Sequence, residues 1–154
     1  MDGSFVGNPG TAGFRGLLRD DRSRWLVGFF GYIGHTTSLL AELLALQHGM
    51  ALAWQRGFRQ LIVESDSQDV IRLVANPCLS SHPCLHVRDA IRTLLLHEWT
   101  CTIVHAFREG NRCTDLFAKH GATNRRRWSL WPEPLPCLCT PLTLDASAWA
   151  FPRP

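Results

Sequence analysis

The stretch Leu61-Ile62-Val63-Glu64-Ser65-Asp66-Ser67 decides the fold of this 154-residue chain. Three consecutive branched apolar residues read as a short buried strand, and the Ser/Asp cluster that follows is a helix cap. A buried strand that passes directly into a helix is the unit of α/β layer folds, and it leaves Asp66 where the strand stops. Downstream, the pattern predicts a short helix over residues 68–75, then a loop rich in Pro, Cys and His. A longer helix follows over about 87–97, with Val87, Ile91, Leu94 and Leu95 on one side. A strand is expected over 100–107, and a last helix from Asn111 or Thr114.

Upstream, Thr36, Thr37 or Ser38 can cap a helix in which Leu39, Leu43, Leu46, Met50 and Ala53 recur at helical spacing, running to about Gly57. Glu42 falls on the border of that buried face. Residues 14–19 and 25–33 suit extended chain, and Asp20-Asp21-Arg22-Ser23 between them is a turn, so the two make an antiparallel hairpin. Residues 2–13 hold four glycines and a proline and are expected to form a tightly turned loop. A hairpin followed by strands alternating with helices is an α/β fold with a mixed sheet.

Composition narrows the classes. Hydrophobic residues make up 45% and charged residues 19%, which suits one globular domain and excludes a disordered or collagen-like chain. The longest uncharged apolar run, residues 26–34, is far short of the roughly 20 residues a membrane span needs. The opening residues lack the basic-then-apolar order of a secretion signal. Sixteen basic and thirteen acidic residues give +3, and Lys119 is the only lysine, so guanidinium groups supply nearly all the positive charge. This is compatible with phosphate binding. The six cysteines lie in apolar or helical patterns and read as reduced thiols of an intracellular protein, in nucleus or cytoplasm. Cys78, His82, Cys84 and His86 are four potential zinc ligands, but their spacing lacks the intervening hairpin or helix that closes a tetrahedral site, and Pro77 and Pro83 fit a connecting loop equally well. The organisation expected is a domain over residues 1–124 and a Pro/Trp-rich tail over 125–154, which either lays apolar side chains on the domain surface or serves as a partner-binding proline segment.

Asp2, Glu42, Asp66 and Asp115 each fall where a strand or helix meets a loop. Acids converging at sheet ends suit two hard divalent cations, which take oxygen ligands and keep positions open for water and phosphate. Thirteen acids allow many foursomes, so spacing alone does not single these out. Their contexts do. Asp2-Gly3-Ser4 is followed by Gly7-Asn8-Pro9-Gly10 and Gly13-Phe14; Ala41-Glu42-Leu43 by Ala45-Leu46. Glu64-Ser65-Asp66-Ser67 comes third, and His105 with Arg108-Glu109-Gly110-Asn111 and Asp115 comes last. In this order the four motifs resemble type 1 ribonuclease H, in particular the ribonuclease-H-like domains of plants related to the retrotransposon-borne version.

The resemblance implies a ribonuclease H-like fold with a five-stranded mixed sheet flanked by helices, and endonucleolytic cutting of the RNA strand of RNA–DNA hybrids to a 5′ phosphate and a 3′ hydroxyl. It makes Asp2, Glu42, Asp66 and Asp115 the ligands of two Mg²⁺ ions about 4 Å apart, with Mn²⁺ able to substitute. His105 matches the family's mobile histidine, which assists proton transfer or product departure. Asn8 and Gln68 match contacts to the RNA strand near its 2′ hydroxyls, and Thr37 a contact to a DNA phosphate. Gly3, Ser4, Ser38 and Asn111 complete the nucleic-acid contacts it implies. Leu39 stands where other members place a polar amide, and the short link between the 87–97 helix and the next strand leaves no room for a basic protrusion. Hybrid affinity is therefore expected to fall steeply with salt and to gain from a tethered reverse transcriptase or other domain in a longer parent, the domain itself being a monomer. The first strand is expected to be truncated, with only Met1 before Asp2. The rival reading is a non-catalytic, transposon-derived module that binds nucleic acid without cutting it.

Overall fold

The computed structural model describes the backbone of residues 2–7, 10–106 and 128–133, and the side chains from residue 12 onward within those spans. The expected last helix, near Asn111 or Thr114, lies outside the described residues. Three strands form an antiparallel meander: β1 (Asp2–Gly7), β2 (Gly10–Arg19) and β3 (Trp25–Thr36). The turn between β2 and β3 is built on Asp20. Its Oδ1 accepts the backbone N–H groups of Arg22 (2.9 Å) and Arg24 (2.8 Å), and its Oδ2 accepts Nε of Arg24 (2.6 Å).

The glycine-rich opening is not a tightly turned loop. Asp2 pairs with Arg15 and the ladder runs down to Gly7 opposite Gly10. Backbone hydrogen bonds hold this ladder whatever the side chains, so sheet context overrides the poor strand propensity of glycine. Strand β3 also runs three residues past the expected Ile33. Ala12 faces Gly34 while Gly13 faces Tyr32, which leaves Ile33 as the extra residue of a bulge. Gly16 sits opposite Phe29, whose ring lies so close over it that an added Cβ would fall 2.3 Å from the ring's Cζ. Only glycine leaves the Phe29 ring that seat, and Phe29 is fully buried.

Helix α1 (Ser38–Gln55) crosses the sheet. Thr37 is its N-cap, with Oγ1 accepting the Leu40 N–H at 3.4 Å. At the far end Gly57 takes φ +86°, and the Phe58 and Gly57 amides donate to the carbonyls of Ala53 (3.1 Å) and Trp54 (3.0 Å). This glycine stop closes the helix where the sequence placed its end. The apolar stripe Leu43, Leu46, Met50 and Ala53 is buried against β2 and β3. His48, on the same helix, stacks on Phe14 with ring centroids 4.5 Å apart and planes 6° from parallel.

The second half of the molecule comprises β4 (Gln60–Ser65), α2 (Gln68–Ala75), α3 (Leu85–Leu95) and β5 (Thr100–His105), with β4 and β5 parallel. Arg88 of α3 is buried and ties the two helices together. Its Nε donates to the Leu73 carbonyl (3.2 Å) and its Nη2 to that of Asn76 (2.6 Å), so a cation closes the negative end of α2.

A further strand, β6 (Ser129–Trp131), pairs with the free edge of β3. Trp128 packs on Phe14, Phe29 and His48, Trp131 packs on Phe30, and Trp25 Nε1 donates to the Trp131 carbonyl at 3.2 Å. The single five-stranded sheet expected from the family differs from what is seen. The described strands form a four-stranded antiparallel sheet, ordered β1-β2-β3-β6, and a separate parallel pair, β4-β5. A joint sheet needs a strand common to both ladders, and the described β1 pairs only with β2, leaving residues 16–19 of β2 paired with β3 alone. Helix α1 bridges the two sheets by packing on β1, β2 and β4.

Candidate active site

The N-terminal end of α1 and the C-terminal ends of β4 and β5 open on one cleft of about 550 Å³. Ser38, Leu39 and Glu42 reach it from α1, Asp66 and Ser67 from the turn after β4, Gln68 and Asp69 from the first turn of α2, and His105 from the last residue of β5. Each position follows from local chemistry. Capping by Thr37 starts the helix at Ser38, so Glu42 lies one turn above it, at the edge of the buried stripe with 8% of its surface exposed. Val63 and Ser65 alternate into the interior of β4, which puts Asp66 at the point where the strand leaves the sheet.

The turn at Asp66 is held by two hydroxyls. Ser65 Oγ, itself buried, accepts the Ser67 N–H at 3.2 Å, and Ser67 Oγ accepts the Val70 N–H at 3.3 Å to cap α2. Ser65 stands opposite His105 in the parallel ladder, and its carbonyl accepts the Ala106 N–H at 2.9 Å. Gln68 is exposed, and its Oε1 accepts Nη2 of Arg72 at 3.3 Å.

Of the residues the sequence nominated, the cleft gathers Glu42, Asp66, His105, Ser38 and Gln68, together with Leu39. Thr37 stands just outside it, on the exposed cap. Gly3 and Ser4 are described only as backbone of β1, opposite Phe14 and Gly13, and Asp2 opens that strand, against which α1 packs. The side chain of Asp2, and all of Asn8, Asn111 and Asp115, lie outside the described residues. Ser65, Ser67 and Asp69 were not nominated as site residues. The cap at Ser67 was readable in sequence, whereas the roles of Ser65 and Asp69 depend on how β4 and α2 are set in three dimensions.

Three carboxylates, Glu42, Asp66 and Asp69, and one imidazole dominate the described lining, which includes no Lys or Arg. Such a surface repels a phosphodiester unless a cation intervenes. An all-oxygen set of carboxylates fits a hard divalent ion, and Glu42 and Asp66 are the described residues that would hold it. Among the described residues no three His, Cys, Asp or Glu side chains form a metal-holding group. In the loop that holds Cys78, His82, Cys84 and His86, His82 Nδ1 accepts the Cys84 N–H at 3.1 Å, and Cys84 is buried at the start of α3. Partial burial pushes the Cys101 thiol up to about 12, which keeps it protonated at neutral pH. No helix among the described residues is long and apolar enough to cross a membrane.

Comparison with known proteins gives the same reading as the motifs. The family model for reverse transcriptase-like proteins matches residues 1–121. An Arabidopsis thaliana protein that bears a ribonuclease H name is 33% identical over 119 residues, which is 77% of this chain and 19% of that protein. The chain therefore spans about a fifth of that relative's length. Among solved structures, the ribonuclease H1 of the archaeon Halobacterium salinarum is 28% identical with a TM-score of 0.66, over 72% of this chain and 85% of that one. The N-terminal ribonuclease H domain of a Mycobacterium tuberculosis protein is 26% identical with a TM-score of 0.66, over 72% and 86%. A ribonuclease H1 solved in complex with an RNA/DNA hybrid is 28% identical with a TM-score of 0.62, over 71% and 84%. With matches that span all four motifs and a fold shared with solved ribonucleases H1, this chain belongs to the reverse transcriptase-like family, as a ribonuclease H-like domain of the plant retrotransposon type.

Proposed function

We propose that this chain hydrolyses the RNA strand of RNA–DNA hybrids, with Glu42, Asp66, Asp2 and Asp115 holding divalent magnesium. The observation that carries the reading is the meeting of Glu42, Asp66 and His105 in one cleft, from three different elements of a ribonuclease H-like fold. When bound, the metal supplies an activated water and stabilisation of the leaving 3′ oxygen. The protein's own part is to hold the carboxylates on rigid elements. Glu42 is fixed by the helix and its buried stripe, Asp66 by the turn between Ser65 and Ser67. His105, exposed at the mouth of the cleft, is placed to take a proton from solvent or return it. Ser38, Gln68 and Thr37 would touch the hybrid's backbone and 2′ hydroxyls.

The test is cleavage of a labelled hybrid with magnesium, with chelator, and by the Asp66→Asn variant. RNA-strand cutting that needs the metal and disappears in the variant, with the melting temperature unchanged, supports the reading. Equal cutting by the variant overturns it. The second reading, binding without cleavage, is favoured by Leu39, the one apolar side chain in the described lining of the cleft. Salt-sensitive hybrid binding with no product would establish it.

A further inference from the structure

The residue that holds the proposed site together belongs to neither the carboxylates nor the histidine. We infer that Ser65 is a positioning residue that sets Asp66 and His105 in register with each other. This rests on the hydrolytic reading above and deepens it.

Ser65 is the last residue of β4 and, with 4% of its surface exposed, a buried hydroxyl in a position where the alternation of the strand calls for an apolar side chain. A polar group there needs a reason to be kept. Its two oxygens supply one by working in opposite directions. The side-chain oxygen accepts the Ser67 N–H at 3.2 Å, which spans Asp66 and fixes the angle at which the chain leaves the strand for α2. The main-chain oxygen accepts the Ala106 N–H at 2.9 Å, which fixes the end of β5 just after His105. Ser65 and His105 are themselves ladder partners, so a shift of the Ser65 backbone moves the bases of both functional side chains. Ser67 carries the restraint onward by capping α2 through Val70, and α2 carries Gln68 and Asp69. A carboxylate that must meet a metal tolerates displacements of only about 0.5 Å before geometry is lost. The hydroxyl of Ser65 is the restraint closest to Asp66 on the strand side.

The experiment compares two replacements of nearly equal shape in the full chain, Ser65→Thr and Ser65→Val. Both add a branch at the same buried place, and only threonine keeps the hydroxyl, so any packing cost is shared. Two readouts are taken. The first is Mn²⁺ titration without nucleic acid, following paramagnetic broadening of the His105 ring protons by NMR. The second is the kinetics of hybrid cleavage. The expected result is that Ser65→Thr keeps the wild-type Mn²⁺ response and kcat to within about threefold. Ser65→Val should bind Mn²⁺ about tenfold or more weakly and lose about 10- to 100-fold in kcat, with KM within twofold, as for residues that orient metal ligands. Matching behaviour of the two variants in both readouts overturns the inference. A wild-type chain that broadens the His105 resonances with Mn²⁺ but cuts nothing overturns the hydrolytic reading alone, and the Thr/Val difference in Mn²⁺ response then still decides the role of Ser65. Absence of any Mn²⁺ effect on His105 in the wild type overturns the inference directly.

Discussion

Strands β3 and β5 differ in what they are built to do. Residues 27–31 of β3 are all buried, under α1 on one side of the antiparallel sheet and with β6 along the edge, whereas no residue of β5 is buried. The stability of the molecule is concentrated in β2, β3 and α1, where Leu17, Leu18, Val27, Phe29, Leu43 and Met50 have no exposed surface at all. Strand β5 gives the cleft its histidine from a position that bears little of the core. The larger share of the core thus lies with the antiparallel sheet and α1, whereas the described lining of the cleft comes from α1, the end of β4, α2 and β5, so damage to the core under β3 is expected to leave that lining legible.

Phe29→Ala is the strongest way to break that division. It removes a fully buried ring and empties the seat over Gly16, and an expected cost of about 3–5 kcal/mol should appear as a fall in the urea midpoint. At temperatures where the variant remains folded, its KM for hybrid should stay at the wild-type value; a raised KM would show that the two sheets are coupled. Arg88→Ala should cost less, about 2–3 kcal/mol, by stripping the carbonyls of Leu73 and Asn76 of a charged donor. Its effect should concentrate on α2, so hydrogen exchange should rise there before it rises in β2 and β3.

The smallest effect concerns His48. Burial between Phe14 and Trp128 lowers its pKa from the ordinary 6.5, so the folded chain keeps it neutral where the unfolded chain takes up a proton. Because the unfolded state binds more protons in that window, stability is full above about pH 6.5 and declines as pH falls below it. Stability curves between pH 7.5 and 5.5 should therefore slope less in a His48→Phe variant, which keeps the stack and removes the titration.

Much of this division was legible in sequence. The spacing of Leu43, Leu46 and Met50, the cap before Ser38 and the stop at Gly57 define α1 with few alternatives, because a helix is specified by residues close together along the chain. The turn on Asp20 was readable for the same reason. Strand β1 was reached only through the motif resemblance, because its glycines carry no side-chain signal of their own and its pairing is supplied by β2. Strand β6 was hidden in a proline-rich stretch, and only the aromatic surface of Phe14, Phe29 and Phe30 gives Trp128 and Trp131 their places. In the cleft, Asp66 was marked by the strand-to-cap transition, and Glu42 and His105 by motif context. Ser65 carried no comparable mark, since a serine at a strand end is ordinary until its burial and its two acceptor bonds are seen.

The bond from the Trp25 indole to the Trp131 carbonyl joins residues 106 positions apart. Loop closure over such a span comes late, both in refolding and during synthesis from the N-terminus. While the ribosome is still making α1, α2 and β5, the outer edge of β3 stands open, with Phe30 lacking the Trp131 ring that covers it in the finished molecule. An open hydrophobic edge is a template for pairing with another chain. Pairing with residues 129–131 therefore does more than add a strand: it closes, from the far end of the described chain, an edge on which another chain could otherwise pair.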